Sequence, residues 1–294
     1  MQGTRDVCPD FKRRSSMETE VRIHLVTVVG ADLQQFPHML NHYAEFGFDS
    51  LLVNVHLDSC ASSLLDEVTI IARKFGAEID SVFIGKWLQS VNPFLYAHTM
   101  RQRPRDWFVL ADSDEFQVYP ANVREFLSGI DSQGFDYVEG CVIDRVARNG
   151  GFPEIVNKPT IWEQFPLAGL VTYPILGGNI LKVVACKGRV SLGPGQHSAH
   201  SGRGCPRNLH YIPVHHFKWC KGVVDRLRRR IEFYKAYDEA IWRESQRFIH
   251  YIETHDGKID IFDPQYFLAE STSEYPLWPI VKDCVLSAAK IRGL

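Results

Sequence analysis

The sequence predicts an α/β fold, a mainly parallel sheet with helices on both faces. Three observations carry that reading. Apolar stretches alternate between strand-like and helical periodicity, glycine or proline marks several of their boundaries, and a cluster of acids follows the fourth strand-like stretch. From Val21 the order is explicit. "VRIHLVTVV" reads as a buried strand, "LQQFPHMLNHYAEF" as a helix despite Pro37, and "SLLVNVHL" as a second strand. "SSLLDEVTIIARKFG" reads as a helix closed by Gly76, and "EIDSVFIG" as a third strand. "NPFLYAHTMRQR" is a helix with Asn92 as N-cap and Pro93 at its first position, and "WFVLAD" is a fourth strand. A short helix, "ANVREFLSG", and a strand, "FDYVEGCVI", follow. The chain then turns irregular and rich in Gly, Pro and His from about Asp144 to Pro213, and a long basic amphipathic helix is expected from Lys221 to Thr254. Residues 1–20 read as a loose polar tail. Residues 21–294 read as one domain, with 21–120 forming its first half and 121–294 a second half that builds the pocket wall.

Composition narrows the function classes. Among 294 residues, 33 Lys and Arg stand against 35 Asp and Glu, a net charge of −2, so no nucleic-acid coat is expected and an anionic ligand has to be met by a local patch. The seven cysteines are scattered, without a C-x-x-C pair, which favours reduced thiols and a cytoplasmic setting. The apolar runs fall far short of the roughly 20 residues that cross a bilayer, so no membrane span is expected, while docking at a membrane face stays open.

The informative stretch is "DWFVLADSDEFQVYP" at 106–120. Asp112, Asp114 and Glu115 crowd together where two unit charges repel by about 1 kcal/mol in water and about 4 at an effective dielectric of 20. A Mg²⁺ or Mn²⁺ ion would cancel that repulsion and keep open positions for phosphate oxygens. The plainer alternative is two aspartates capping a turn. Placement after a fourth parallel strand favours the metal, because ligands of such sheets bind beyond the carboxyl ends of the strands. Neighbouring residues separate the metal-dependent chemistries. A haloacid-dehalogenase-type phosphatase needs its nucleophilic Asp after the first strand, where this chain has "VVGADLQQ". A sugar-nucleotide pyrophosphorylase needs a glycine-rich basic loop there, where only Gly30 is present.

These residues resemble the glycosyltransferase family 2 superfamily, in particular a branch with a D-x-D-E-F motif that is also similar to family 92. The resemblance runs from "HLVTVVGADLQQFPHMLNHYAEFGFDSLLVNVHLDS" through "DWFVLADSDEF" to "DRVARNGGFPEI", "EQFP", "GNILKVVACKGRV", "GPGQH" and "VHHFKW". It implies a GT-A fold, a nucleotide-diphosphate sugar as donor, Mn²⁺ or Mg²⁺ at the acids, and transfer of the sugar to a hydroxyl of a glycan, lipid-linked saccharide or small acceptor, with inversion. Carried over, Asp112 meets the ribose or a metal-bound water, Asp114 ligates the metal and Glu115 supports it. Val29, His56 and Asp58 fall at the nucleotide. The chain departs from the family pattern at Ala31 and Asp32, where an Asn-Glu pair is common, and at His56, where an Asp closes the second strand.

The second half supplies further candidates. Asp144, at a strand end, is placed to act as general base, or else to pair with Arg145 or Arg148; Glu163 is a second candidate base, or part of a structural loop. His197, behind two glycines in "GPGQH", is the candidate third metal ligand, with His215 or His216 as fallback. Lys218 and Arg226 are the cations best placed to meet the leaving diphosphate or to hold an anionic acceptor, Arg228–Arg230 being otherwise a solvated helix face. Two rival readings remain: a nucleotidyl- or phosphotransferase on the same scaffold, and a non-catalytic relative that binds a glycan or a protein.

Overall fold

The computed structural model describes residues 21–30, 33–59 and 63–291. The expected tail at 1–20, and the departures at Ala31 and Asp32, lie outside the described residues. The chain opens with β1 (Ile23–Val29), α1 (Phe36–Ala44), β2 (Ser50–Leu57), α2 (Leu64–Lys74), β3 (Glu78–Ile84), α3 (Val91–Met100) and β4 (Trp107–Leu110). Pro37 is tolerated because it falls in the first turn of α1, where no backbone N–H is needed. All seven residues of β1 are buried, as expected of a strand covered on both faces. Each of its valines and leucines contributes about 1.5–3 kcal/mol by leaving water.

The second half adds β5 (Glu115–Gln117), α4 (Val123–Ser132), β6 (Tyr137–Val146), α5 (Ile161–Gln164), β7 (Leu167–Gly169), α6 (Thr172–Leu176), β8 (Leu181–Lys187) and β9 (Ile212–His216). It closes with α7 (Val223–Tyr234), α8 (Glu239–Thr254), β10 (Ala269–Glu270) and α9 (Trp278–Ile291). The main path of the sheet runs β10-β7-β6-β8-β4-β1-β2-β3, with β9 joined to both β5 and β6. Strands β3, β2, β1 and β4 are parallel, giving a Rossmann-type core. Beyond β4 the pairing turns antiparallel through β8, β6 and β7, so the sheet is mixed where a mainly parallel one was expected. Because β1 is flanked by β2 on one side and β4 on the other, successive connections leave in opposite directions and open a crevice at the carboxyl ends.

Four expectations need correction. The region read as irregular contains β8, a fully buried strand between β4 and β6; its "VVAC" run is short, and the glycines and prolines around it hid it. β6 runs on to Val146, so Asp144 lies inside a strand and does not end it. The single long helix is two: Asp238 takes an extended φ of −151° and accepts a hydrogen bond from Ile241 N, starting α8 afresh. The two helices then pack together through Val223 and Leu227 against Phe248, Ile249 and Ile252. Lastly, Asn92 sits inside α3 behind Ser90, its side chain occupied elsewhere.

Candidate active site

The acid motif leaves β4 directly into the crevice, and three other elements meet it there. Asp112 Oδ1 accepts hydrogen bonds from Asn92 Nδ2 (3.1 Å) and Tyr96 Oη (3.0 Å), both on α3. Its Oδ2 lies 3.1 Å from Lys182 Nζ on β8, which also sits 2.7 Å from Glu115 Oε1 and donates to Gln196 Oε1 at 3.1 Å. Lys182 is therefore the buried cation that offsets part of the acid repulsion. Burial alone would lower its pKa, but Asp112 and Glu115 outweigh that and hold the ammonium above its usual range.

Asp114 is met from β9. Its Oδ2 lies 3.3 Å from His216 Nε2, and His216 Nδ1 lies 3.6 Å from Asp144 Oδ1. Burial would lower the imidazole's pKa, yet the two carboxylates push it up to about 9; in turn His216, against the cost of burial, holds Asp114 well below the usual carboxylate range. Asp144 is fully buried and heavily engaged. It accepts from Val171 N, Thr172 N, Thr172 Oγ1 and Trp219 Nε1 at 2.6 to 2.9 Å. Strand register explains the sandwich: His216 stands opposite Glu115 in the β5–β9 pair and opposite Asp144 in the β6–β9 pair.

A cavity of about 780 Å³ opens beside this cluster. Asp112, Ser113, Asp114 and His216 form one wall, while Val28, Gly30, His56 and Asp58 come from the ends of β1 and β2. Lys218, Arg226, Arg229 and Arg230 face them from β9–α7, with Lys86 and Trp87 from the loop after β3. Trp87 and Tyr234 meet edge-on at 6.4 Å, and Tyr234 Oη donates to Trp87 O at 2.9 Å, so the loop is pinned to α7. His56 Nε2 donates to Gly85 O at 2.7 Å and its ring stacks on Phe83.

The other candidates lie elsewhere. Val29 is buried in the core, its neighbours Val28 and Gly30 facing the cavity instead. Glu163 is exposed and closes a capping box with Thr160 at the start of α5. Neither Glu163 nor Asp144 lines the cavity. Asp144 does not pair with Arg145 or Arg148 either: Arg145 donates to the carbonyls of Phe165, Trp162, Ser271 and Thr272, and Arg148 pairs with Glu270. His197 donates Nδ1–H to Leu181 O at 2.6 Å and does not line the cavity. Burial, with Lys182 nearby, pushes it down to about 4. His215, one residue from His216, points the other way in the strand and donates to Ser273 O at 3.0 Å.

Sequence reasoning missed Lys182, Tyr96 and the bonded role of Asn92. A signal for Lys182 was present: a lysine at the second place of the apolar stretch "LKVVAC" implies a buried charge, which needs an acid partner.

The residues present fit a single divalent cation. Asp114 Oδ2 and His216 Nε2 are spaced close to the about 3 Å that separates adjacent ligands of an octahedral ion bound at about 2.1 Å. Asp144 stands behind the second ring nitrogen, as carboxylates do behind ligating histidines. Asp112 is bound on both oxygens by Asn92, Tyr96 and Lys182 and is not free to join them. Among the described residues no three His, Cys, Asp or Glu side chains converge as a closed metal cluster, so water and substrate oxygens would complete the shell.

No family model and no curated protein matches the chain. Solved structures do. The S. aureus TarS fragment 1–349 is 14% identical, covering 80% of this chain and 73% of its own, with a TM-score of 0.37. The same fragment in complex with UDP is 10% identical, covering 80% and 72%, also at 0.37. HddC from Yersinia pseudotuberculosis is 9% identical over 46% of this chain and 64% of its own, at 0.31. Among the described residues no helix is long and apolar enough to cross a membrane.

Proposed function

We propose that this chain is a glycosyltransferase that moves a sugar from a nucleotide-diphosphate donor to an acceptor hydroxyl, with one Mn²⁺ or Mg²⁺ held by Asp114 and His216. The observation that carries the reading is the Asp114–His216–Asp144 line at the head of the parallel core, facing cations across a cavity large enough for a nucleotide sugar. A metal bound there would neutralise charge on the donor diphosphate as the glycosidic bond breaks. The protein's own groups do the rest. Lys182, Asn92 and Tyr96 lock Asp112 as a fixed hydrogen-bond acceptor for the donor. Arg226, whose charge acts on Asp114, faces the diphosphate. Asp144 orients His216 and does not act as the base, because its oxygens are already taken by four donors. Inversion and a glycan, lipid-linked or small hydroxyl acceptor follow the resemblance, and a cytoplasmic setting follows the scattered cysteines.

Calorimetry with UDP-, GDP- and dTDP-sugars, with and without Mn²⁺, tests donor and metal together. Metal-dependent binding of one donor is expected. Release of a nucleoside diphosphate from labelled donor separates sugar transfer from nucleotidyl transfer, which would release pyrophosphate or a triphosphate. No binding of any nucleotide sugar would overturn the reading.

A further inference from the structure

The "GPGQH" turn does not bring His197 to the cavity, yet its shape is tightly prescribed. A Cβ on Gly193 would collide with the Ser198 hydroxyl, and Gly195 takes a left-handed φ of +62°. Gln196 follows it into the same region at φ +54°, where a residue with a Cβ is crowded against its own backbone. Glycine or asparagine would form this turn with less strain. The glutamine side chain is therefore what the position requires, because backbone strain of this kind persists where the surroundings hold it in place for use.

That side chain is 1% exposed and reaches the acid site through one lysine. Its Oε1 accepts from Lys182 Nζ at 3.1 Å, and the same ammonium lies 3.1 Å from Asp112 Oδ2 and 2.7 Å from Glu115 Oε1. An ammonium has three donors, and these three acceptors match them. Gln196 is the neutral member of the set, so it directs the ammonium without adding a third negative charge. Beside it His197 Nδ1 donates to Leu181 O, so the turn grips two consecutive residues of β8. The other end of the amide, Nε2, is buried with no hydrogen-bond partner among the described residues. Turning the amide over would set its N–H against the ammonium, so the bond to Lys182 fixes its direction. A glutamine that only filled space would carry the strain and the stranded donor for nothing, since methionine fills a similar volume with no polar atom to satisfy.

We propose that Gln196 is a positioning residue for the donor: it holds the Lys182 ammonium against Asp112 and so keeps that carboxylate aimed at the cavity. This rests on the glycosyltransferase reading, in which Asp112 is the fixed acceptor for the donor. Without Gln196 the ammonium is shared by two acids alone, and the shorter contact, to Glu115, draws it away from Asp112. Asp112 then keeps only the bonds from Asn92 and Tyr96 on Oδ1, with Oδ2 free to turn.

The test is calorimetric titration with UDP in the presence of Mn²⁺, with GDP and dTDP used where UDP does not bind. It compares the wild type, Gln196→Met, Asp112→Asn and the double variant, each also followed by urea denaturation. Gln196→Met is expected to weaken the nucleotide fivefold or more while its denaturation midpoint stays close to that of the wild type. In the Asp112→Asn background the same change is expected to alter affinity less than twofold, because Gln196 acts through Asp112. Equal binding by the wild type and Gln196→Met overturns the assignment while the donor reading stands. A fivefold loss that persists in the Asp112→Asn background overturns it too, by showing that Gln196 acts elsewhere. So does a loss that only tracks unfolded protein, which would make Gln196 structural. If the wild type binds none of the three nucleotides, the glycosyltransferase reading itself falls, and the positioning role with it.

Discussion

His216 stands between two carboxylates, Nε2 3.3 Å from Asp114 and Nδ1 3.6 Å from Asp144, and only one of the two reaches the cavity. The geometry separates a ligand-facing acid from an orienting one. Asp114→Asn and His216→Ala should each abolish Mn²⁺ binding measured by electron paramagnetic resonance without donor present. Asp112→Asn should change it less than about threefold. Equal losses in all three would show that Asp112 shares the ion.

Asp144→Asn should behave differently. An amide nitrogen would face N–H donors that now meet an anion, and charge-assisted bonds of this kind contribute about 1.5–3 kcal/mol each. A loss of at least about 3 kcal/mol in urea denaturation is expected, with Mn²⁺ affinity falling about tenfold or more as His216 loses its orienting partner. A fully stable variant with normal Mn²⁺ affinity would contradict the arrangement.

Lys182 supplies the counter-charge for Asp112 and Glu115, and breaking a buried pair by removing one partner costs about 3–5 kcal/mol. Lys182→Met should show that loss. The double variant Lys182→Met/Glu115→Gln should recover part of it, since one of the two stranded charges is gone. A double-mutant cycle in denaturation midpoints reads the coupling, and strict additivity would refute the pairing.

Arg145 is a buried guanidinium whose partners are carbonyls, holding β6 to the segments around Phe165 and Ser271–Thr272. Burial pushes its pKa down to about 9. Its ring contacts with Trp162 and Phe217 need the planar fork. Arg145→Lys, which keeps the charge and loses the fork, should therefore cost at least about 2 kcal/mol. A neutral outcome would mean the fork is dispensable.

Acid should destabilise the fold through buried imidazoles. Burial lowers His42 to about 4 and, with Arg145 adding to it, His215 to about 3, against 6.5 when exposed. Between those values the unfolded chain binds the proton and the folded one does not. The stability each neutral ring contributes is therefore complete above pH 6.5 and falls as the pH drops toward 4. For His42 the loss amounts to roughly 3 kcal/mol. His42→Gln should flatten that part of the stability–pH curve, and an unchanged slope would remove His42 as a contributor.

The alternating first half was legible because its elements are local. Strand and helix periods, Pro37 in a first turn and Gly76 after a helix are each set within a few residues. β8 was not legible, since four apolar residues between glycine-rich stretches look alike in a loop and in a central strand. The same limit merged α7 and α8: their periods are similar, and the break depends on Asp238 turning its carboxylate to Ile241 N.

By itself the sequence determined the α/β class, the strand whose end carries the acids, and the basic segment that follows "HHFKW". Tertiary structure decided which acid faces what. β8, far along the chain, brings Lys182 to Asp112 and Glu115, and β9 brings His216 between Asp114 and Asp144. The reason is register. In a β-ladder a shift of one residue turns a side chain to the opposite face, so His215 and His216, equivalent as letters, end on opposite sides of the strand.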